Sequence, residues 1–130
     1  MACRKVGFAN MKDTAGALYR FFSGFGLPAY VENNVPENAA LPYITYELRE
    51  PQAGERSSLT ARVWYIDTGF QAITEKVDEI KNAVADGASL PVDGGAVWLW
   101  PDDNFCQFQP PDEPKLKIAY LMLIIGAYKM

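Results

Sequence analysis

Apolar residues recur along this chain in two rhythms, one of three and four residues and one of two. The first rhythm runs through Met11, Ala15, Leu18, Phe22 and Phe25. That spacing draws one apolar stripe down a helix and predicts a helix within Phe8–Phe25. Asp13 is an alternative N-cap, with a shorter helix following it. Gly24, Gly26 and Pro28 then stop the helix, because glycine accepts a left-handed cap and proline cannot extend a helical turn. The same rhythm returns at Ile73, Val77, Ile80 and Val84 and predicts a second, clearer helix. Asp67 or Thr68 is placed to cap its start and Gly87 to close its end. Glu75, Lys76 and Glu79 form its solvated face.

The two-residue rhythm marks strands. Tyr43–Leu48 is rich in β-branched and aromatic residues between Pro42 and Pro51, with Ile44, Tyr46 and Leu48 on one face. "LTARVWYID" (Leu59–Asp67) is the next strand, expected to pair antiparallel with the first across the polar loop "QAGERSS". Beyond the second helix, Gly94-Gly95 suits a tight turn, "AVWLW" and "FCQFQ" read as two short strands, and "PDDN" reads as the hairpin turn between them. "PPDEP" is a rigid turn before a closing strand that starts at Lys115. Strands grouped in this way around two helices indicate an α+β fold, an antiparallel or mixed sheet of about four to five strands with two helices packed on it. The length of 130 residues suits a single domain over 1–130, with about two-thirds of the unfolded chain's surface buried on folding.

The closing strand raises its own problem. Between Lys117 and Lys129 no residue is charged. A membrane-spanning helix needs roughly 20 apolar residues, and this run has about half of them. As a strand it places Ile118, Tyr120, Met122, Ile124 and Tyr128 on one face, and Ala119, Leu121, Leu123, Ile125 and Ala127 on the other. Both faces are apolar, so both need a cover. The expectation is that Ile118 and Ile124 lie in the core, while Leu121, Leu123 and Ile125 lie at or next to a subunit interface.

Charge and composition remove several function classes. The net charge is −4, and Lys and Arg are scattered, which disfavours a general nucleic-acid binder. Arg4, Lys5 and Phe8 do not develop into a secretory signal because Lys12 and Asp13 interrupt the apolar stretch. The expected location is the cytoplasm of the producing cell. The two cysteines, Cys3 and Cys106, make neither a disulfide framework nor a zinc site. There is no histidine, so the commonest general base and metal ligand are missing together. Ser57, Ser58 and Cys106 are nucleophiles without an evident base. "GFGLPA" has the outline of a nucleotide-binding turn but follows a helix and contains a proline. Asp102, Asp103 and Asn104 lack calcium-loop spacing, and a carboxylate pair with Asp112 or Glu113 would rest on an unknown fold. No catalytic, cofactor or metal site is expected. Trp98 and Trp100 share one strand face and suit either a core or an interface centre. The loop "EPQAGERSS" presents Arg49, Glu50, Glu55 and Arg56 without core residues and is expected to contact a partner.

Two stretches carry a resemblance. "PAYVENNVPENAALPYITYEL" joins a short aromatic strand through a proline-bearing link to an LPY strand start, and "DEPKLKIAYLMLIIGAY" sets an acidic turn before a basic, tyrosine-bearing final strand. With "ARVWYID" and one amphipathic helix between them, the layout resembles the tail-terminator or tail-completion (head–tail joining) proteins of long-tailed bacteriophages. It covers about Leu18 to Tyr128. The resemblance implies an α+β subunit of a homo-oligomeric ring, commonly a hexamer. Such a ring caps the tail tube, stops its polymerisation and meets the head connector or an adaptor protein. It implies a virion protein without cofactor or enzymatic activity, whose ring passes DNA without gripping it. Another neck or head–tail adaptor is the neighbouring reading, and a small carboxylate-dependent enzyme the remote one. The final strand departs from the pattern by being more apolar.

Overall fold

A computed structural model describes residues 11–51, 54–109 and 113–129. Cys3, the stretch from Phe8 to Asn10, Gln52-Ala53 and Pro110–Asp112 lie outside the described residues. The elements run α1 (Met11–Phe22) with a 3-10 turn at Ser23–Phe25, β1 (Ala29–Val31), β2 (Tyr43–Tyr46), β3 (Arg56–Ile66), α2 (Gln71–Val84), β4 (Ala88–Val92), β5 (Gly95–Gln109) and β6 (Leu116–Lys129). All six strands form one sheet in the order β1-β2-β3-β6-β5-β4. The β1–β2 pair is parallel and every other pair antiparallel. The fold is therefore α+β with a mixed sheet, one or two strands wider than the sequence suggests.

Both helices lie on the same side of this sheet. Helix α2 packs on β3, β5 and β6, while α1 touches β1 and β4, the two edges of the sheet. A sheet whose two edges reach one helix is curled around it, so the fold is a half-barrel filled by its helices. Ile73, Val77, Ile80 and Val84 are the buried positions of α2, as their spacing predicts. In α1 the buried set is Thr14, Ala17, Leu18 and Phe22, a stripe displaced from Met11 and Ala15. Phe22 stacks on Tyr46 at 4.7 Å, tying α1 to β2. Gly26 ends the first helical segment with φ of 82°, a conformation in which a side chain is disfavoured.

Four expectations need correction here. Asp13 lies inside α1 rather than capping it. At the start of α2 the N-cap position is Phe70, without a side-chain cap, and Asp67 instead accepts a hydrogen bond from the Thr68 N–H at 2.7 Å. Lys76 does not face water. Its ammonium donates to the Phe25 carbonyl and pairs with Glu79 at 3.1 Å, holding α2 against the 3-10 turn with its side chain only 14% exposed. Finally, "AVWLW" and "FCQFQ" are one strand. β6 pairs with both halves, and "PDDN" is a bulge across which Pro101 faces Leu123 and Cys106 faces Leu121. Extra residues on one strand bend it and turn a side chain; here Phe105 swings inward to 7% exposure.

The Lys76 contact carries a prediction. A charge-assisted bond in a part-buried site contributes about 1.5–3 kcal/mol. Lys76→Met keeps the aliphatic stem and loses the ammonium, so its melting temperature should fall by several degrees in a thermal scan followed by circular dichroism. An unchanged melting temperature would show that the contact does not hold the two helices together.

The closing run from Ile118 to Tyr128 belongs to β6, which pairs with β3 and β5. No helix among the described residues is long and apolar enough to cross a membrane. Ala119, Leu121, Leu123, Ile125 and Ala127 are each 0% exposed and belong to the core under the helices. Ile124 is half-buried on the opposite face. Ile118 is buried, at 8% exposure, as expected. The expectation fails for the others, since Ile124 is only half-buried while Leu121, Leu123 and Ile125 are sealed inside the chain and offer nothing to a partner.

Candidate interaction surface

What the helices leave bare is the convex face of the sheet. Alternation along the strands sends one residue in two to that face, and the register aligns them. Trp64 lies opposite Ile118, Arg62 opposite Tyr120, and Arg56 opposite Gly126. On the other flank of β6, Trp100 lies opposite Ile124 and Trp98 opposite Gly126.

Two clusters result. In the first, the Trp98 and Trp100 rings stack at 5.8 Å with 15° between their planes. Gly87 and Gly126 make room for them. A Cβ at Gly87 would meet Trp100 Nε1 at 2.9 Å, and one at Gly126 would meet Trp100 Cζ3 at 3.1 Å. The Arg56 guanidinium lies 4.3 Å from the Trp100 ring centre, and Tyr128 meets the same ring edge-on at 6.2 Å. A cation over an indole face is attracted by the ring quadrupole, which orients Arg56 without neutralising it.

The second cluster centres on Arg62. Its guanidinium lies 4.4 Å from the Tyr120 ring centre and 3.2 Å from a Glu32 carboxylate oxygen. Trp64 donates its indole N–H to the Thr45 hydroxyl at 2.9 Å. Tyr43 touches Trp64, and Tyr30 touches Tyr43. An aromatic row with two arginines therefore crosses the sheet from β1 to β5. Tryptophan, tyrosine and arginine are the residues that dominate interface energetics.

A second feature lies on the helix side. A groove of about 510 Å³ runs between α2 and the β5 bulge. Val77, Phe105 and Phe108 give it an apolar floor, and Asp78, Asp102 and Asp103 line it with Lys81. Cys106 also lines it. Burial pushes its thiol pKa up; Lys81 opposes the rise and Asp78 adds to it. A thiol held protonated is a poor nucleophile. No group of three or more potential metal ligands occurs among the described residues.

The residues nominated by the sequence fall in three places. Arg49 and Glu50 are exposed after β2, with Arg49 paired to Glu47 at 3.3 Å. An exposed pair of this kind contributes at most about 1 kcal/mol. Glu55 is exposed immediately before β3. Arg56 is a strand residue rather than a loop residue, and the fold brings it onto Trp100. The structure thus joins Arg56, Trp98 and Trp100 in one patch and places Leu121, Leu123 and Ile125 on the other side of the sheet. Sequence reasoning missed Arg62, Trp64, Tyr120 and Tyr43. For Arg62 and Trp64 the signal is the odd-and-even alternation of "LTARVWYI", which sets them on the face opposite Ala61 and Val63. Tyr43 and Tyr120 join them only through the strand register.

No protein-family model matches the sequence, and no curated protein matches it. The fold does have solved counterparts. One is a chain in the virion of a native gene transfer agent (GTA) particle, with a TM-score of 0.63 and 14% sequence identity. The likeness covers 92% of this chain and 94% of that one. The half-barrel with its two helices is therefore a fold that a virion particle uses, matched nearly end to end.

Proposed function

We propose that this chain is a structural protein of a phage-like virion, and that it forms the ring that closes the tail tube at the head-proximal end. In that role it stops tube polymerisation and presents the joining surface for the head connector. The observation that carries the reading is the near-complete fold match to a chain of a gene transfer agent virion. The layout of strands around "LPYITYEL" and the final basic strand supports the same reading. An aromatic and arginine-bearing sheet face outside the core supports a life among other protein subunits. The function needs no chemistry, only surfaces that repeat from subunit to subunit. The net charge of −4 suits a ring through which DNA passes without adhering.

The test adds the purified protein to polymerising tail-tube protein. Tubes should become shorter as the protein is added, and electron microscopy should find it at one tube end only. Tubes of unchanged length with bare ends would overturn the reading. Binding to connector rings with no effect on tubes would move the protein to the neck as an adaptor.

A further inference from the structure

The two surface features lie on opposite sides of the molecule. The aromatic face is the bare convex side of the sheet, and the acidic groove is on the side that carries α2. Among the described residues no carboxylate pairs with Arg56, and none of Asp78, Asp102 and Asp103 is ion-paired. Each is an uncompensated charge at the margin of an apolar patch. We infer that Arg56 and the Trp98–Trp100 stack of one copy dock in the groove between α2 and the β5 bulge of the next copy. The inference deepens the ring reading above and rests on it.

Charge selects this pairing over its alternative. A two-fold contact of sheet face on sheet face would bring the Arg56 patches of two copies together with no carboxylate beside either arginine, whereas Arg62 already has Glu32. Like charges brought together at an interface are a repulsive element. The head-to-tail contact instead sets Arg56 against Asp78, Asp102 and Asp103, with Lys81 the one opposing cation on the groove. It also sets the tryptophan pair against Val77, Phe105 and Phe108. The two surfaces are different, so the contact is heterologous: it repeats from copy to copy and closes into a ring if the rotation permits. Leu121, Leu123 and Ile125 take no part.

The experiment is a charge exchange read by sedimentation of the full-length chain. Wild type should self-associate. Arg56→Glu and Asp102→Lys should each raise the dissociation constant by about tenfold or more, with melting temperatures close to wild type. A one-to-one mixture of the two variants should associate again, because every contact in an alternating assembly then joins opposite charges. The double variant should associate for the same reason. A wild-type chain that stays monomeric at millimolar concentration overturns the inference. So does an Asp102→Lys variant that assembles normally, or a mixture that does not recover. A ring insensitive to both substitutions removes this contact and leaves the virion role standing. A self-associating chain that never reaches a tube end removes the role and leaves the contact.

Discussion

Leu123→Asp should fail to fold, whereas Ile124→Asp should give a folded protein. The two residues are neighbours of similar size on one strand, and the difference is the face they occupy. Leu123 is 0% exposed, paired across to Leu59 on β3 and packed in the core beneath the helices. Truncating such a leucine to alanine costs about 2–5 kcal/mol. Aspartate adds the cost of a carboxylate without a partner in a dry core. Against a total stability of about 5–15 kcal/mol, the sum leaves little folded protein. Ile124 lies on the convex face, half-buried beside Trp100 and Ser58. Aspartate there stays in reach of water and loses strand propensity and side-chain contact, about 1–3 kcal/mol together. Far-UV circular dichroism and urea titration read the contrast. Two unfolded variants would show that the convex face is covered by the chain itself.

That pair also shows where sequence reasoning stops. Period-two alternation names the two faces of β6 correctly, because it follows from backbone geometry alone. It cannot say which face the helices cover when both are apolar. The decision belongs to β3 and β5, whose inward residues Leu59, Ala61, Val63, Val97 and Leu99 share a side with Leu121, Leu123 and Ile125. The opposite side carries Arg62, Trp64, Trp98 and Trp100. Placing the long strand beside its polar-faced neighbours would have settled it, and that requires a register.

The helices were legible because Ile73, Val77, Ile80 and Val84 leave little freedom in choosing a buried face. β4 was not legible. "ASLPV" contains Pro91, which a central strand would reject, and the fold tolerates it at the sheet edge, where an N–H is expendable. The bulge at "PDDN" reads as a turn in the sequence because aspartate, asparagine and proline favour turns and bulges alike. β6 held the correction. A strand running from Leu116 to Lys129 needs a partner of comparable length, and two short strands joined by a hairpin turn could not both pair with it antiparallel. The interaction patch was half-legible. Trp98 and Trp100 declare themselves, but Arg56 joins them only through the pairing of β3 and β5 on either side of Gly126.

Gly87 is the small residue on which that patch depends most. It follows α2 with φ of 89° and donates its N–H to the Val84 carbonyl at 2.9 Å, closing the helix as its position predicts. A side chain in that left-handed region costs about 1–2 kcal/mol. A Cβ would also meet Trp100 Nε1 at 2.9 Å and Trp98 ring carbons at 3.1 Å, and forcing atoms into a packed site costs about 1–3 kcal/mol more. Gly87→Ala should therefore destabilise by roughly 2–5 kcal/mol in urea unfolding. Gly126→Ala shares the steric cost, with Trp100 Cζ3 at 3.1 Å, but not the conformational one, since its φ is not positive. It should cost about 1 kcal/mol and lift Trp100 from the sheet. Repeating both substitutions in a Trp100→Ala background separates the two causes. Gly126→Ala should become nearly neutral there, because the ring it strikes is gone. Gly87→Ala should recover only in part, because the backbone conformation and the Trp98 contact persist. If Trp100→Ala rescues both glycine variants completely, the left-handed cap at Gly87 imposes no constraint of its own. If it rescues neither, the tryptophan does not lie over the glycines.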